Sequence, residues 1–280
     1  MRYTVLSMRG ELWVAYPSGM RFPAAFAQCY PFRGRGIVSK LLYFLNKTRC
    51  DGILPKREDF APLSEDFSVA SEVAFFWPSK KRTSGRFYGY KIGERRIVEY
   101  WKIGVSDVER RIIRREADNA EKARAFANGV FKVPGLIDIG DIGANTVARY
   151  EALPDDAMIL PLTEKWIGKV DEARNAISAA GYRHGDFSWH NFKASGDDLW
   201  ILDWEEMSAS LPDRVDEISL NCGRWIYWDK AGLRRAFDMF DDKFLATDVD
   251  GTVVAVKNLV ERGIAPGELL MKHLREKEMT

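Results

Sequence analysis

Apolar residues recur along this chain in patterns that change character near its middle. SEVAFFWP (71–78) runs into turn formers and charges, PSKKRTSG (78–85); RFYGYKI (86–92) and RRIVEYWKI (95–103) then follow around Gly93-Glu94. These short β-branched and aromatic runs predict an antiparallel meander of strand, loop, strand, tight turn, strand. DVERRIIRREADNAEKARAFANG (107–129) next places Ile112, Ile113, Ala120, Ala123 and Phe126 on much of one helical face, with Asp107 as N-cap and Gly129 as stop. VPGLIDIGDIGANTVARYEAL (133–153) adds two short strands around Gly140 to Asn145. Three strands, a helix and two strands make an α+β lobe.

Past Leu153-Pro154 the period becomes helical. Trp166, Ile167, Val170, Ala173, Ile177 and Ala180 mark a helix from Glu164 to Ala180, ended by Gly181. A loop, a short strand pair ending in LWILDW, and a mostly helical stretch from Asp213 to Glu278 follow. Ahead of the meander, residues 2–16 read as a hairpin around Arg9-Gly10. Residues 36–48 read as an amphipathic helix with Ile37, Leu41, Leu42 and Leu45 on one side. The predicted organisation is an N-terminal extension (1–65), an N-lobe (66–153) and a C-lobe (154–280).

Composition narrows the class. Forty-two Lys plus Arg against 41 Asp plus Glu leave a net charge of +1, which counts against a nucleic-acid partner. Cys29, Cys50 and Cys222 are too scattered for a disulfide framework or a metal cluster and fit a reducing, cytoplasmic setting. There is no signal-peptide h-region, and no run approaches the ~18 apolar residues of a membrane span. Residues 1–60 hold ten Lys or Arg and four Asp or Glu, so the Leu-rich helix there could touch anionic lipid peripherally. A packed helix with a solvated basic rim is the commoner use of such a segment.

The informative stretch is HGDFSWHNFKASGDDLWILDWEE (184–206). It reads H-x-D-x4-N and then, twelve residues on, an Asp closing an apolar strand. Phosphoryl transfer needs a carboxylate to orient or deprotonate the acceptor hydroxyl and hard oxygens to hold Mg²⁺ against the phosphates. Asp186 suits the first role, and Asn191 and Asp203 suit the second. A short hairpin between Asn191 and Asp203 would let both converge on one metal.

HGDFSWHN together with LDWEE resembles the catalytic and metal-binding loops of the aminoglycoside phosphotransferase and choline kinase-like group, within the protein kinase-like superfamily. The resemblance covers roughly residues 71–225. It implies a two-lobed protein kinase-like fold, with an antiparallel-sheet N-lobe carrying one helix and a mostly helical C-lobe. It further implies ATP and Mg²⁺ as cofactors and a small-molecule or sugar hydroxyl as acceptor. Lys102, ending the third strand, and Glu116, on the following helix, match the family's phosphate-positioning pair, with Glu121 a second choice for the acid. Lys81, Ser84 and Gly85 sit where a phosphate-covering loop is expected, though without G-x-G-x-x-G. Tyr150, Glu151 and Ala152 fall where the family's hinge meets adenine. Some thirty residues between hinge and His184 leave no room for inserted substrate-capping helices, so the acceptor could be an aminoglycoside, an amino alcohol or a glycolipid sugar. The rival reading is a degenerate kinase-like module that acts by docking a partner.

Several other features have plainer explanations. His184 is expected to brace the catalytic loop through a buried hydrogen bond, since no third nitrogen or sulfur ligand accompanies His184 and His190. DVDGT (248–252) matches the opening of haloacid dehalogenase-like phosphatases, but only 28 residues follow Thr252, so Asp250-Gly251 reads as a turn. Trp225, Tyr227 and Trp228 could stack a sugar ring, although core packing is the commoner use. Glu205, Glu206, Asp213, Asp216 and Glu217 could line a pocket for a cationic acceptor, though a solvated acidic helix start explains the last three equally well.

Overall fold

The computed structural model describes residues 3–8, 11–17, 56–57, 72–76, 85–93, 96–227 and 232–279; for 3–8, 11–17, 56–57, Phe76 and Tyr227 it describes the backbone alone. The predicted helix at 36–48, with the basic segment around it, lies outside the described residues. The chain divides into two compact units, Met1–Asp118 with Pro134–Asp156, and Asn119–Val133 with Ala157–Thr280.

The first unit is built on an antiparallel sheet. Its strands are β1 (Tyr3–Met8), β2 (Glu11–Pro17), β3 (Lys56–Arg57), β4 (Val73–Phe76), β5 (Arg86–Gly93), β6 (Arg96–Gly104), β7 (Leu136–Ile142) and β8 (Asn145–Glu151). They lie in the order β3-β1-β2-β4-β5-β6-β8-β7. The β4-β5-β6 meander is the one the alternation predicts, and β2 extends it by pairing Val14 with Phe76 and Ala15 with Phe75. Side chains alternate across a pleated sheet. One face therefore collects Phe75, Phe87, Trp101, Ile103 and Val147, each 3% exposed or less. The opposite face carries Tyr88, Lys102 and Ala148 in one cross-strand row and Tyr90, Tyr100 and Tyr150 in the next.

Helix α1 (Asp107–Phe126) follows β6 at once. Gly104 permits this tight entry, because a Cβ there would stand 2.8 Å from the backbone of Glu109 and Arg110. The cap is Ser106, not the predicted Asp107: the Ser106 hydroxyl accepts from Glu109 N–H at 3.3 Å, and Asp107 is already helical. Ile113, Ala117, Ala120 and Ala123 form the buried stripe, at the i, i+3, i+4 spacing of one helical face. Complete burial of Ile113 stabilises by about 1.5–3 kcal/mol.

In the second unit β9 (Met158–Ile159), β10 (Phe192–Ser195) and β11 (Asp198–Ile201) form a small sheet in the order β11-β10-β9. Helix α2 (Glu164–Ala179) buries Trp166, Val170, Ala173 and Ile177, and Gly181, at φ +82°, ends it as predicted. Helices α3 (Val215–Tyr227), α4 (Leu233–Phe240), α5 (Val249–Glu261) and α6 (Gly267–Glu276) share one apolar core. Trp225 belongs to that core at 3% exposure, 6.2 Å from the Phe244 ring, and is no sugar platform. The Tyr227 side chain and Trp228 lie outside the described residues. Asp250-Gly251 is not a free turn but the first turn of α5, capped by Asp248, whose carboxylate accepts from Gly251 N–H at 3.0 Å.

The architecture is α+β, with an antiparallel-sheet unit carrying one helix ahead of a mostly helical unit. That is the element order of the two-lobed kinase-like fold. Among the described residues no helix is long and apolar enough to cross a membrane.

Candidate active site

In the first unit, Lys102 and Glu116 meet. Lys102 Nζ lies 2.5 Å from Glu116 Oε1, with only 3% and 4% of the two side chains exposed. A charge this deeply buried is tolerable only when paired. Strand β6 fixes the lysine and one face of α1 fixes the acid. Glu121 is exposed and pairs with Arg124 instead, so the structure selects Glu116. Arg86 and Glu109 form a second tie between sheet and helix at 2.6 Å, also largely shielded.

The segment that carries Asp186 and Asn191 lies in the second unit, between α2 and β10. Gly185 takes φ +87°, and a Cβ there would sit 2.6 Å from the Glu206 carbonyl oxygen. Only glycine fits. His184 is fully buried and braces the segment as predicted. Its Nδ1 accepts from Asp186 N–H at 3.3 Å, which leaves Nε2–H to donate to the Leu202 carbonyl at 3.0 Å. The same imidazole packs 4.6 Å from the Trp204 ring. One residue thus ties the segment bearing Asp186 to the segment bearing Asp203.

Asp186 is held on both carboxylate oxygens. Ser188 Oγ donates to Oδ1, and Asn191 Nδ2 donates to Oδ2 at 3.1 Å and to the Asp186 carbonyl at 2.9 Å. His190, half exposed, stands 3.6 Å from Oδ2. Burial alone would lift the Asp186 carboxyl. The His190 imidazole, the Ser188 hydroxyl and the His184 ring together outweigh burial and hold it below the usual carboxylate range.

Asn191 is 1% exposed, and its orientation follows from its hydrogen bonds. With the amide nitrogen committed to Asp186, Oδ1 is the atom left to serve as a ligand. The Asn191 carbonyl accepts from Leu202 N–H at 3.0 Å, so Asp203 follows directly along the chain. Asp203 adopts the left-handed conformation, φ 60° and ψ 64°. For a residue other than glycine this costs about 1–2 kcal/mol, a strain typical of functional positions. Asn119 secures the turn that follows, donating to the Trp204 and Met207 carbonyls at 2.9 and 3.1 Å. A neutral amide oxygen and a carboxylate suit magnesium, which takes one or two such protein ligands and completes its octahedron with water and phosphate oxygens.

Asp216 corrects an expectation. It neither lines a pocket nor joins a solvated helix start: it is 1% exposed, and it accepts from His184 N–H at 2.6 Å and Gly185 N–H at 2.8 Å. Burial pushes its carboxyl above the ordinary range, against the opposing pull of His184, Gly185 and Arg183. Helix α3 thereby holds the loop backbone just ahead of Asp186. The sequence shows only an acidic first turn, and no spacing rule separates a buried carboxylate from a solvated one. Of the other proposed pocket acids, Asp213 pairs with Arg183, Glu206 with Arg262, and Glu217 with Arg174 and Lys243.

Lys81 and Ser84 lie outside the described residues. Gly85 opens β5 at φ +105°, and its carbonyl accepts from Val105 N–H at 2.6 Å. Tyr150 and Glu151 close β8. Tyr150 is 4% exposed, while Glu151 N–H donates to Gly135 O at 2.8 Å and Ala152 N–H to Val98 O at 3.3 Å. These two amide donors are engaged within the unit.

No protein-family model matches the chain, and no curated protein does. Solved structures resemble it in part. The crystal structure of monomeric WbdD is 13% identical at TM-score 0.39, covering 51% of this chain and 39% of that one. A medium-resolution structure of the bifunctional kinase-methyltransferase WbdD is 14% identical at TM-score 0.37, covering 49% and 34%. The chain therefore spans well under half the length of these WbdD chains.

Proposed function

We propose that the chain is a phosphotransferase similar to the aminoglycoside phosphotransferase and choline kinase-like group, passing the γ-phosphoryl of ATP to a hydroxyl of a small molecule or sugar. The observation that carries this reading is the Asp186–Asn191 clamp. One buried amide orients the carboxylate with its nitrogen and keeps its oxygen for a cation, a division of labour that a turn or cap residue has no need for. Lys102, held by Glu116, takes the α/β-phosphates. Asn191 and Asp203 hold Mg²⁺, which when bound neutralises charge on the phosphate oxygens. Asp186 accepts the hydrogen bond of the acceptor hydroxyl and aligns its oxygen for attack. Catalysis then comes from positioning and preorganised charge, with no covalent intermediate.

The ion pairs of Glu206, Asp213 and Glu217, with the burial of Asp216, leave few carboxylates for a polycationic acceptor. A sugar hydroxyl fits better than an aminoglycoside. The test is transfer from γ-labelled ATP to a panel of sugars, amino alcohols and aminoglycosides, using wild type and Asp186→Ala. Label should reach a sugar with wild type alone while the variant still binds nucleotide. Equal labelling by both proteins would refute the assignment.

A further inference from the structure

Residues 110–115 read RRIIRR, which puts four arginines into the N-terminal half of α1. Arg110 stands in the first turn, where the helix dipole favours an acid over a base. Arg110, Arg111 and Arg114 line a cavity of about 300 Å³, together with Asp107 and with Asp141 and Thr146 of the β7–β8 hairpin. The cavity lies wholly within the first unit. Its cations are held in place from both sides. The Ala144 carbonyl and the Asp107 carboxylate each accept from Arg110. Asp141 takes Arg114 Nη2 on both oxygens at 2.7 Å while accepting from the Thr146 hydroxyl at 2.6 Å. Arg111 is exposed, feels Asp107 through charge alone, and makes no hydrogen bond or ion pair among the described residues. Exposed ion pairs contribute little stability, and two aspartates leave the third arginine over.

The charge count narrows the ligand. Asp107 and Asp141 are held below the usual carboxylate range, chiefly by Arg110 and by the Thr146 hydroxyl respectively, so both are ionised at neutral pH. Three guanidiniums against two carboxylates leave one positive charge. That suits a single phosphate group of about −1.5 to −2, and not a polyanion whose further phosphates the aspartates would repel. Arg114 uses one terminal nitrogen and keeps Nε and Nη1, and Arg111 keeps all its donors. A carboxylate fills one guanidinium fork with its two oxygens, whereas the three outer oxygens of a phosphate monoester engage both. The volume is at the lower end of small-ligand sites, ~300–1,000 Å³, with room for a phosphate and the first atoms of its carrier.

We propose that this groove binds a phosphate monoester, with Arg111 and Arg114 donating to its oxygens and Arg110 adding charge. Arg114 lies two residues from the buried Glu116, about 200° round the helix. The groove and the Lys102–Glu116 pair therefore occupy opposite sides of α1, and the inference stands apart from the phosphotransferase reading.

Calorimetric titration of the full chain tests this with three probes: inorganic phosphate, glucose 6-phosphate, and phosphatidylcholine vesicles containing phosphatidic acid. The proteins are wild type, Arg111→Gln/Arg114→Gln and Lys102→Met/Glu116→Leu. Wild type should bind at least one probe, the soluble ones with a Kd of about 0.1–1 mM. Lys102→Met/Glu116→Leu should stay within about threefold of wild type, as distant sites act independently. Arg111→Gln/Arg114→Gln should bind at least about tenfold more weakly, since each guanidinium supplies charge-assisted hydrogen bonds. Preference for glucose 6-phosphate assigns a soluble sugar phosphate and preference for vesicles a lipid headgroup; both bear out the site once the arginine variant loses them. Binding that survives the arginine substitutions overturns the proposal, as does binding lost in Lys102→Met/Glu116→Leu or wild type that binds none of the three. The single variant Arg111→Gln gives up no hydrogen bond among the described residues. It should weaken binding about threefold or more, and it decides the matter if either double variant fails to fold.

Discussion

Breaking the Lys102–Glu116 pair from each side separates its structural weight from its chemical role. The two side chains meet at 2.5 Å and are almost wholly buried, so removing one partner leaves the other's charge stranded in a poorly polarisable interior. Lys102→Met keeps the volume of the stem and should cost about 3–5 kcal/mol, with a comparable loss for Glu116→Leu. The double variant Lys102→Met/Glu116→Leu removes both charges and should recover to within about 1–2 kcal/mol of wild type, because hydrophobic replacement of a buried pair is often near neutral. Urea unfolding followed by tryptophan fluorescence reads these differences. With m near ~3 kcal/mol/M, each single variant should lower the midpoint by roughly 1–2 M. The double variant should unfold close to wild type yet bind no nucleotide, since the ammonium proposed to meet the phosphates is gone. Singles costing under about 1 kcal/mol, or a double whose loss is the sum of the two, would refute a coupled buried pair.

Other predictions test the second unit. Asp186→Ala should abolish transfer and spare nucleotide binding. In wild type, protonation of Asp186 should not limit turnover until pH falls below ~4, because its carboxyl is held below the usual range; an acid limb well above that in the pH–rate profile contradicts the assignment. Gly185→Ala should destabilise by about 1–3 kcal/mol, since it forces φ +87° on alanine and drives a Cβ against the Glu206 carbonyl; an unchanged melting curve would show that the loop is not so confined. Asp216 is held above the usual range, so the native state keeps its proton longer than the unfolded chain does. Its stabilising contribution is full below ~3.9 and declines as pH rises through the folded value. Any excess stability of wild type over Asp216→Asn should therefore narrow as pH rises from ~4, and a gap that widens in urea titrations with rising pH would contradict the sign.

Much of this architecture was legible in the residues because it obeys short-range rules. The β4–β6 strands announce themselves by aromatic and β-branched alternation broken at Gly93-Glu94, and α2 by its apolar spacing and Gly181. Lys102 and Glu116 are legible only through the resemblance, which implies a lysine on the third strand and a glutamate on the following helix; their contact and burial show in the structure alone. Asp216 is not legible in this way. Its role depends on burial against a loop some thirty residues away, and an acidic first helical turn looks the same whether water or backbone amides face it. Ser188 and Asn119 are equally silent in the sequence, since a serine or an asparagine carries no signal of which carboxylate or carbonyl it will meet. The tyrosine face of the sheet shows only in the register, where Tyr88, Tyr90, Tyr100 and Tyr150 on three strands fall in adjoining rows.

The central claim is that Asn191 and Asp203 hold a cation for a nucleotide. Calorimetric titration of ATP with and without Mg²⁺, on wild type and on Asp203→Asn, tests it most directly. Wild type should bind ATP tightly only with Mg²⁺, and Asp203→Asn should lose that dependence, weakening by roughly tenfold or more as a charged ligand becomes neutral. Wild type that binds no nucleotide in either condition, or a variant with unchanged metal dependence, would contradict the account.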